Sequence, residues 1–543
     1  MNYFNPFPLC VDNTVTTAWK FQITEAAKTP WLAELLAQRG GELFPRFVTT
    51  YSELRALPRG ARRALQRRLA HSRELSAVLQ EWLQQQSSRA LQQKLAATLA
   101  GAALLLVLGR GVVEANTITV DTTVPGVVAD GKCSLIEAII NANDTVTGRP
   151  LLDCAAGDPL GEDHIVLPKK TFSLTAPYDT YYYGLPTGLP LITSKITIEG
   201  NGAKITRKKS APNFRLMAVS YYSGNLELKN LTLSGGSGYY GGAILNGGEL
   251  TVTNSTITGN TARLGGGIAN YHELTVTNST ISKNSATQDD TFFGSGGGIA
   301  NSIGATLTVT NSTITGNTAS YGGALLNSGS LTLQNTMISK NTAKGFLYGA
   351  YYTGGVGGGI ANLNGTLTIT NSTITRNKAD ASGGIHNSGT MEINGSTLSK
   401  NAAFYGGGIG NVGPGTITNS IISGNKANLK TIKVTDAGYT STYFIGGLGG
   451  GVNNSGHLTI SNSTISGNKA TGKFLKTYPY FAGGVGGGVM NYFGDLTLTG
   501  GMVTKNTATI AGGGLANISG TYTYTPGTIT GNKAKYYANI FTY

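Results

Sequence analysis

Glu249 and Glu273 are the residues whose type and spacing come nearest to catalytic chemistry. They hold matching positions in two successive copies of the segment Glu-Leu-Thr-Val-Thr, and His272 stands beside the second. Two carboxylates brought together can divide acid and base work on a glycosidic bond, and a larger cluster can hold a divalent cation. The matching positions in the next two copies are Thr306 and Ser330, so no larger cluster builds; Asp289 and Asp290 lie elsewhere, in an inserted segment. Residues placed as Glu249, Glu273 and His272 are more often simply solvent-facing residues at strand starts. Candidates for binding are more numerous. Aromatic residues gather in four segments: Phe292 and Phe293; Phe346, Tyr348, Tyr351 and Tyr352; Tyr439, Tyr443 and Phe444; Phe474, Tyr478, Tyr480 and Phe481. Large rigid rings lose little entropy when bound, which suits recognition. The same rings could instead pack on one another and shield a core. No residue pattern calls for a metal or a cofactor.

What must position these residues is a repeat. A phrase close to NSTITGNTA, then GGGIAN, then LTVT recurs from about residue 230 onward. The Asn that closes its first part falls at Asn260, Asn284, Asn317, Asn341, Asn377, Asn401, Asn425, Asn468, Asn506 and Asn532, with a smallest spacing of 24 residues. A period in the twenties marks a solenoid whose coils cannot bury an apolar face alone. Within one period, Leu250-Thr251-Val252-Thr253 and Thr256-Ile257-Thr258 alternate apolar with polar, and Ile268-Ala269-Asn270 follows a glycine run. Alternation with β-branched residues argues strand. Three short strands in 24 residues fit one coil of a parallel β-helix, so the fold class is all-β. Stacked coils would place Leu250, Leu274, Leu307, Leu331, Leu367, Leu458 and Leu496 in one inward column. Ile257, Ile281, Ile314, Ile338 and Ile374 begin another. Corner Asn residues would tolerate left-handed backbone and hydrogen-bond along the stack.

Short coils keep ten residues from the closing Asn to the next Asn of the Gly-rich phrase, as from Asn260 to Asn270. Four coils are longer there: Asn284 to Asn301 by 7 residues, Asn341 to Asn362 by 11, Asn425 to Asn454 by 19 and Asn468 to Asn491 by 13. These insertions carry the aromatic clusters, and all would emerge at one corner of the coil, the pattern of a binding face.

The chain has a formal charge of +14; residues 1–94 hold 13 Lys and Arg against 7 Asp and Glu, hence +6, and the rest contributes the remaining +8. In the coils a basic residue often precedes the closing Asn (Lys283, Lys340, Arg376, Lys400, Lys505) or follows it (Lys378, Lys426, Lys469, Lys533), forming a discontinuous strip. It reads as a solvated face that keeps a repetitive protein soluble, or as a surface for anionic glycans or phosphate. No nucleic-acid-binding motif accompanies it. Residues 95–108 are uncharged and apolar, follow Arg89 and Lys94, and precede Val113-Glu114-Ala115, as a signal-peptide core or signal anchor would. Residues 61–84 read as a basic amphipathic helix. Either translation starts downstream of it at a non-Met codon, or a cytosolic region precedes an anchor; both place residues 116–543 outside the inner membrane. Membrane contact would come only through that segment. In an exported chain Cys133 and Cys154 are most simply a disulfide.

Residues 116–175 add a resemblance. Cys133-Ser134-Leu135-Ile136-Glu137-Ala138-Ile139, Asn141-Ala142-Asn143, Asp163-His164-Ile165-Val166-Leu167-Pro168 and Thr171-Phe172-Ser173-Leu174 resemble the CSLREA domain, which opens many exported bacterial β-helix proteins. Ile136 stands where that motif has Arg. The resemblance implies a helix over residues 135–143 that caps the first coil. Gly241-Gly242-Ala243-Ile244 and Ile257-Thr258-Gly259-Asn260 are similar to the two repeat motifs of chlamydial polymorphic outer membrane proteins, the second with Ile for Phe, and to the wider pectin-lyase-like superfamily. Together these imply a right-handed parallel β-helix, with a cap and first coil over residues 116–175 and repeats over 176–543; the residues before it read as a short helical region over 1–94 and a signal or anchor over 95–115. With the aromatic loops on one face, the chain reads as an extracellular, cell-surface or outer-membrane protein of a bacterium that acts as an adhesin-like or structural binding rod on a glycan or a surface protein. The superfamily's polysaccharide lyases and glycoside hydrolases supply the alternative.

Overall fold

The computed structural model describes residues 116–144, 152–158, 162–179, 186–221, 223–287, 293–348, 351–436, 439–474 and 481–543. The described residues belong to one compact unit, Ala115–Tyr543. The helix expected within residues 1–94 and the apolar segment 95–108 lie outside them. Within the described residues no helix is long and apolar enough to cross a membrane.

The repeat folds as its alternation requires. Strands equivalent to Glu249–Thr253 and Thr256–Thr258 stack coil on coil into one long sheet. Those equivalent to Ile268–Asn270 build a second, from Met217–Val219 to Ile540–Thr542. Pairing between coils is parallel and in register, so Leu274 lies between Leu250 and Leu307, and Ile281 between Ile257 and Ile314. The chain is a right-handed parallel β-helix, the hand that parallel crossover connections adopt.

The inward columns of Leu250, Val252, Ile257 and Ile268 and their equivalents are buried and form one continuous core. Full burial of each such side chain contributes about 1.5–3 kcal/mol. Tight corners let the coil close around them. Gly265 sits at φ +64, and a Cβ there would come within 2.1 Å of the Ile268 carbonyl oxygen.

Two internal ladders of asparagine line the corners. Asn401 is typical: its Nδ2 donates to Asn425 Oδ1 at 3.0 Å and to the Ile374 carbonyl at 2.9 Å. Its Oδ1 accepts from the backbone N–H and Nδ2 of Asn377. The second ladder runs through Asn246, Asn270, Asn301, Asn327 and Asn362 in the same way. One expectation needs correction. The closing Asn is not the left-handed residue. That role falls to the residue before it, Gly259 (φ 66), Lys283 (φ 54) or Lys400 (φ 56), and to an earlier Asn such as Asn254 (φ 49). The ladder Asn must point inward to reach its partners, so the chain reverses one position earlier.

Helix α1 (Leu135–Asn143) closes the N-terminal end of the core. Ser134 caps it: its Oγ accepts from the Glu137 N–H, and the Glu137 carboxylate accepts from the Ser134 N–H at 2.9 Å. Leu135, Ile136, Ala138, Ile139 and Ala142 are buried in the core. The disulfide between Cys133 and Cys154 ties the start of α1 to the segment that follows it.

Candidate functional site

Register brings Glu249 and Glu273 together, one coil apart, as the spacing predicts. Strand stacking separates their backbones by about 4.8 Å, near the ~5–5.5 Å between the carboxyls of a retaining glycosidase. Their surroundings are the difficulty. Acid and base roles arise when two environments push paired groups apart. These two side chains share one exposed column on the outer edge of the same sheet. Glu249 accepts a hydrogen bond from Asn225 Nδ2, and the exposed His272 ring meets Tyr221 edge-on at 6.5 Å. Among the described residues no group of three or more His, Cys, Asp and Glu is placed to hold a metal ion.

Three of the four insertions contain antiparallel hairpins. Gly345–Tyr348 pairs with Tyr351–Gly354, Leu429–Asp436 with Tyr439–Gly446, and Gly472–Phe474 with Phe481–Gly483. Phe346, Tyr348, Tyr351, Tyr352, Tyr439, Tyr443, Phe444, Phe474 and Phe481 sit on these strands. Phe292, Tyr478 and Tyr480 lie outside the described residues. Phe293, in the fourth insertion, is 41 % exposed and packs edge-on against Tyr321 of the next coil at 5.6 Å.

The hairpin bases are tied to the coils. The Gly345 N–H donates to the Asp380 carboxylate, the Leu429 N–H to Thr471 Oγ1 at 3.1 Å, and the Gly472 N–H to Thr509 Oγ1 at 2.7 Å. Each bond runs to the following coil. The sequence places the insertions at one corner, but alternation there is too weak to predict strands.

Sequence reasoning missed two further features. Pro186, Asn213, Arg215, Tyr239, Arg263 and Thr287 line a cleft of about 300 Å³ near the N-terminal coils. Arg215 is fully buried, and the Arg263 guanidinium lies over the Tyr239 ring at 4.3 Å. Among the described residues that line it, the cleft offers cations and hydroxyls and no carboxylate. An Arg inside the apolar run Phe214-Arg215-Leu216-Met217 was the available signal.

The second is Ser382 with its Oγ 3.2 Å from His386 Nδ1. Burial holds the imidazole down to a pKa of about 4, which makes it a weak base near neutrality. Ser382 is itself only 2 % exposed. The pair satisfies two polar groups on the outer face of the second sheet.

No family model matches the chain, and no curated protein does. Among solved structures it is similar to the periplasmic alginate epimerase AlgG, at 10% identity over 70% of this chain and 77% of that one, with a TM-score of 0.32. It is also similar to pectate lyase Pel9A, at 12% identity over 76% and 78% of the two chains, with a TM-score of 0.27. No chemistry passes to this chain from likenesses of this degree.

Proposed function

We propose that this protein is an exported β-helix rod that binds a glycan through the hairpin-bearing corner of its coils. The observation that carries the reading is the placement of three aromatic hairpins at one corner of a rigid stack, each anchored to the next coil. A rigid scaffold with loops on one side concentrates recognition there. In this reading residues 95–108 direct export, residues 116–175 form a CSLREA-like cap, and the rod stands at the cell surface. Lysis or hydrolysis of a polysaccharide by Glu249 and Glu273 is the second reading, favoured by their stacking in register.

The test presents the full chain with neutral and acidic polysaccharides and reads both retention and chain cleavage. A companion variant replaces residues 430–445 by a short turn and keeps the anchoring bonds from Asn428 to Ala403 and from Gly447 to Phe404. Retention without cleavage, weakened at least tenfold by trimming while melting is unchanged, is the expected result. Cleavage abolished by Glu249→Gln and Glu273→Gln would establish the second reading. Unfolding on trimming would assign the rings to packing.

A further inference from the structure

Seven consecutive coils present exposed cations along the corner that precedes the hairpins. Lys340 opens the row; Arg376, Lys400, Lys426, Lys469, Lys505 and Lys533 follow, one to a coil, and Lys378 adds a second cation in the coil of Arg376. Each stands immediately before or immediately after an inward-pointing ladder Asn. The two positions flank the same corner, so a strip that looks discontinuous in the sequence becomes one continuous ridge. Six coil rises of about 4.8 Å give it a length of about 29 Å.

Among the described residues none of these side chains takes part in an ion pair such as those of Lys229 with Glu227 and His457 with Asp495. The arrangement runs against local preference twice. Lys340, Arg376, Lys400 and Lys505 hold φ between 56 and 57, a conformation in which Gly316, Gly424 and Gly467 fill the same place without strain. Like charges are also stacked. The Lys340 N–H donates to the Thr375 carbonyl and the Arg376 N–H to the Ser399 carbonyl, which puts Lys340, Arg376 and Lys400 in successive coils at one position. Lys426 and Lys469 pair directly in register. Solubility requires neither the strained backbone nor the stacking. Strain of this kind marks sites where a side chain is needed.

We infer that this ridge binds an extended anionic polysaccharide, with about one charged ring to each coil. A single row matches a linear polymer better than a planar membrane. Duplex phosphates, which rise about 3.4 Å along the helix axis per nucleotide and wind around it, would fall out of step with a straight row of coils about 4.8 Å apart. Beside the ridge runs a column of hydroxyls, such as Thr375 Oγ1 and Ser399 Oγ at 3.0 Å, that can meet sugar hydroxyls. The ridge residues stand on the coils and not on the hairpin strands.

Three cellulose derivatives test it on the full chain: carboxymethyl, sulfate and the neutral hydroxyethyl ether. The first two separate carboxylate from sulfate as the source of charge. The expected result is binding to at least one charged polymer and none to the neutral one, weakening steeply between about 50 and 200 mM salt. The variant Arg376→Gln, Lys378→Gln, Lys400→Gln, Lys426→Gln should bind at least tenfold more weakly, with a flatter salt dependence and unchanged or higher melting temperature. The control Lys169→Gln, Lys170→Gln, Lys208→Gln, Lys209→Gln removes as much charge elsewhere and should bind as the wild type does. Trimming residues 430–445 should leave this binding intact, so failure of the hairpin reading is seen separately. The inference is overturned if the ridge variant binds normally, if the control loses as much, if the neutral polymer binds equally, or if duplex DNA or anionic phospholipid vesicles bind more tightly than either charged polymer.

Discussion

Replacing Lys400 by Gly should make the protein more stable and a poorer binder of polyanions. Lys400 holds φ 56, between Arg376 at φ 57 in one neighbouring coil and Gly424 at φ 63 in the other. Left-handed backbone costs an L-residue about 1–2 kcal/mol. Glycine removes that cost but returns about 0.5–1 kcal/mol through the freedom of the unfolded chain. Loss of the stacked charge beside Arg376 adds a few tenths at most at an exposed site, of the order of 0.2 kcal/mol. The balance is a gain of about 1 kcal/mol, within a range of about 0.2–1.7.

A solenoid need not unfold as one unit, so hydrogen exchange is the fitting assay. Opening free energies should rise by about that amount at the amides of the coils that hold Asn377, Asn401 and Asn425. Charged-polymer affinity should fall in the same variant. The reciprocal Gly424→Lys should do the opposite on both counts, since a Cβ at Gly424 comes no nearer than 3.8 Å, to the Lys400 Cγ, and the cost there is one of φ. A loss of more than about 0.5 kcal/mol in Lys400→Gly would refute the reasoning, because the lysine would then be stabilising the coil.

Asn401→Ala removes four buried hydrogen bonds and leaves the Asn377 backbone N–H and one Nδ2 hydrogen without an acceptor, while Nδ2 keeps its bond to the Ile338 carbonyl, so local opening in hydrogen exchange should become easier by about 2–4 kcal/mol. Reduction of the disulfide, which closes a loop with a sequence separation of 21, should cost the cap about 3 kcal/mol, read as a lower first melting step in reducing buffer. Asp163 supplies a pH test. It is buried, one oxygen accepts from the Asp158 N–H, and the other has no hydrogen-bond partner; desolvation pushes its pKa up to about 7. An acid with a raised folded pKa keeps its proton in the native state while the unfolded chain gives it up. Cap stability should therefore fall as pH rises from about 4 to 7, by about 4 kcal/mol in all, and level off above. Asp163→Asn should flatten that slope in melts taken across the range.

The coil was legible because its signals repeat. Leu250, Ile257 and Ile268 recur with the same neighbours, and each recurrence corrects for local ambiguity in the others. The capping helix was legible for another reason: the resemblance of residues 133–139 and those after them to the CSLREA domain implied it, and the structure adds the Ser134 and Glu137 capping box that starts it. The hairpins were not, because strand pairing inside an insertion depends on two segments meeting, and Phe474 opposite Phe481 has no period to announce it. The left-handed position was misassigned by one residue because Asn and the Gly or Lys before it both favour corners or tolerate them. Only the inward hydrogen bonds of the ladder decide between them. Arg215 left one sign, its place in an apolar run, whereas the pair of Ser382 with His386 was invisible, since a 3.2 Å contact is a property of the packed coil.

The basic ridge shows how a repeat conceals a site. Reading down the alignment, the position before the closing Asn and the position after it are separate columns, each interrupted by Gly, Thr, Ser or Ala. Turned inward, the Asn between them brings both columns to one corner, and a cation in either column fills the coil's place in the row. A repeat unit can therefore exchange the two positions without breaking the surface it presents, at a backbone cost only in the position before the Asn. The scaffold imposes only inward aliphatic, Asn and Gly positions, so the coils keep those and vary elsewhere. In such a protein the residues that carry function are found where a coil departs from the easiest choice, as Lys400 does beside Gly424, and where neighbouring coils make the same costly departure in register.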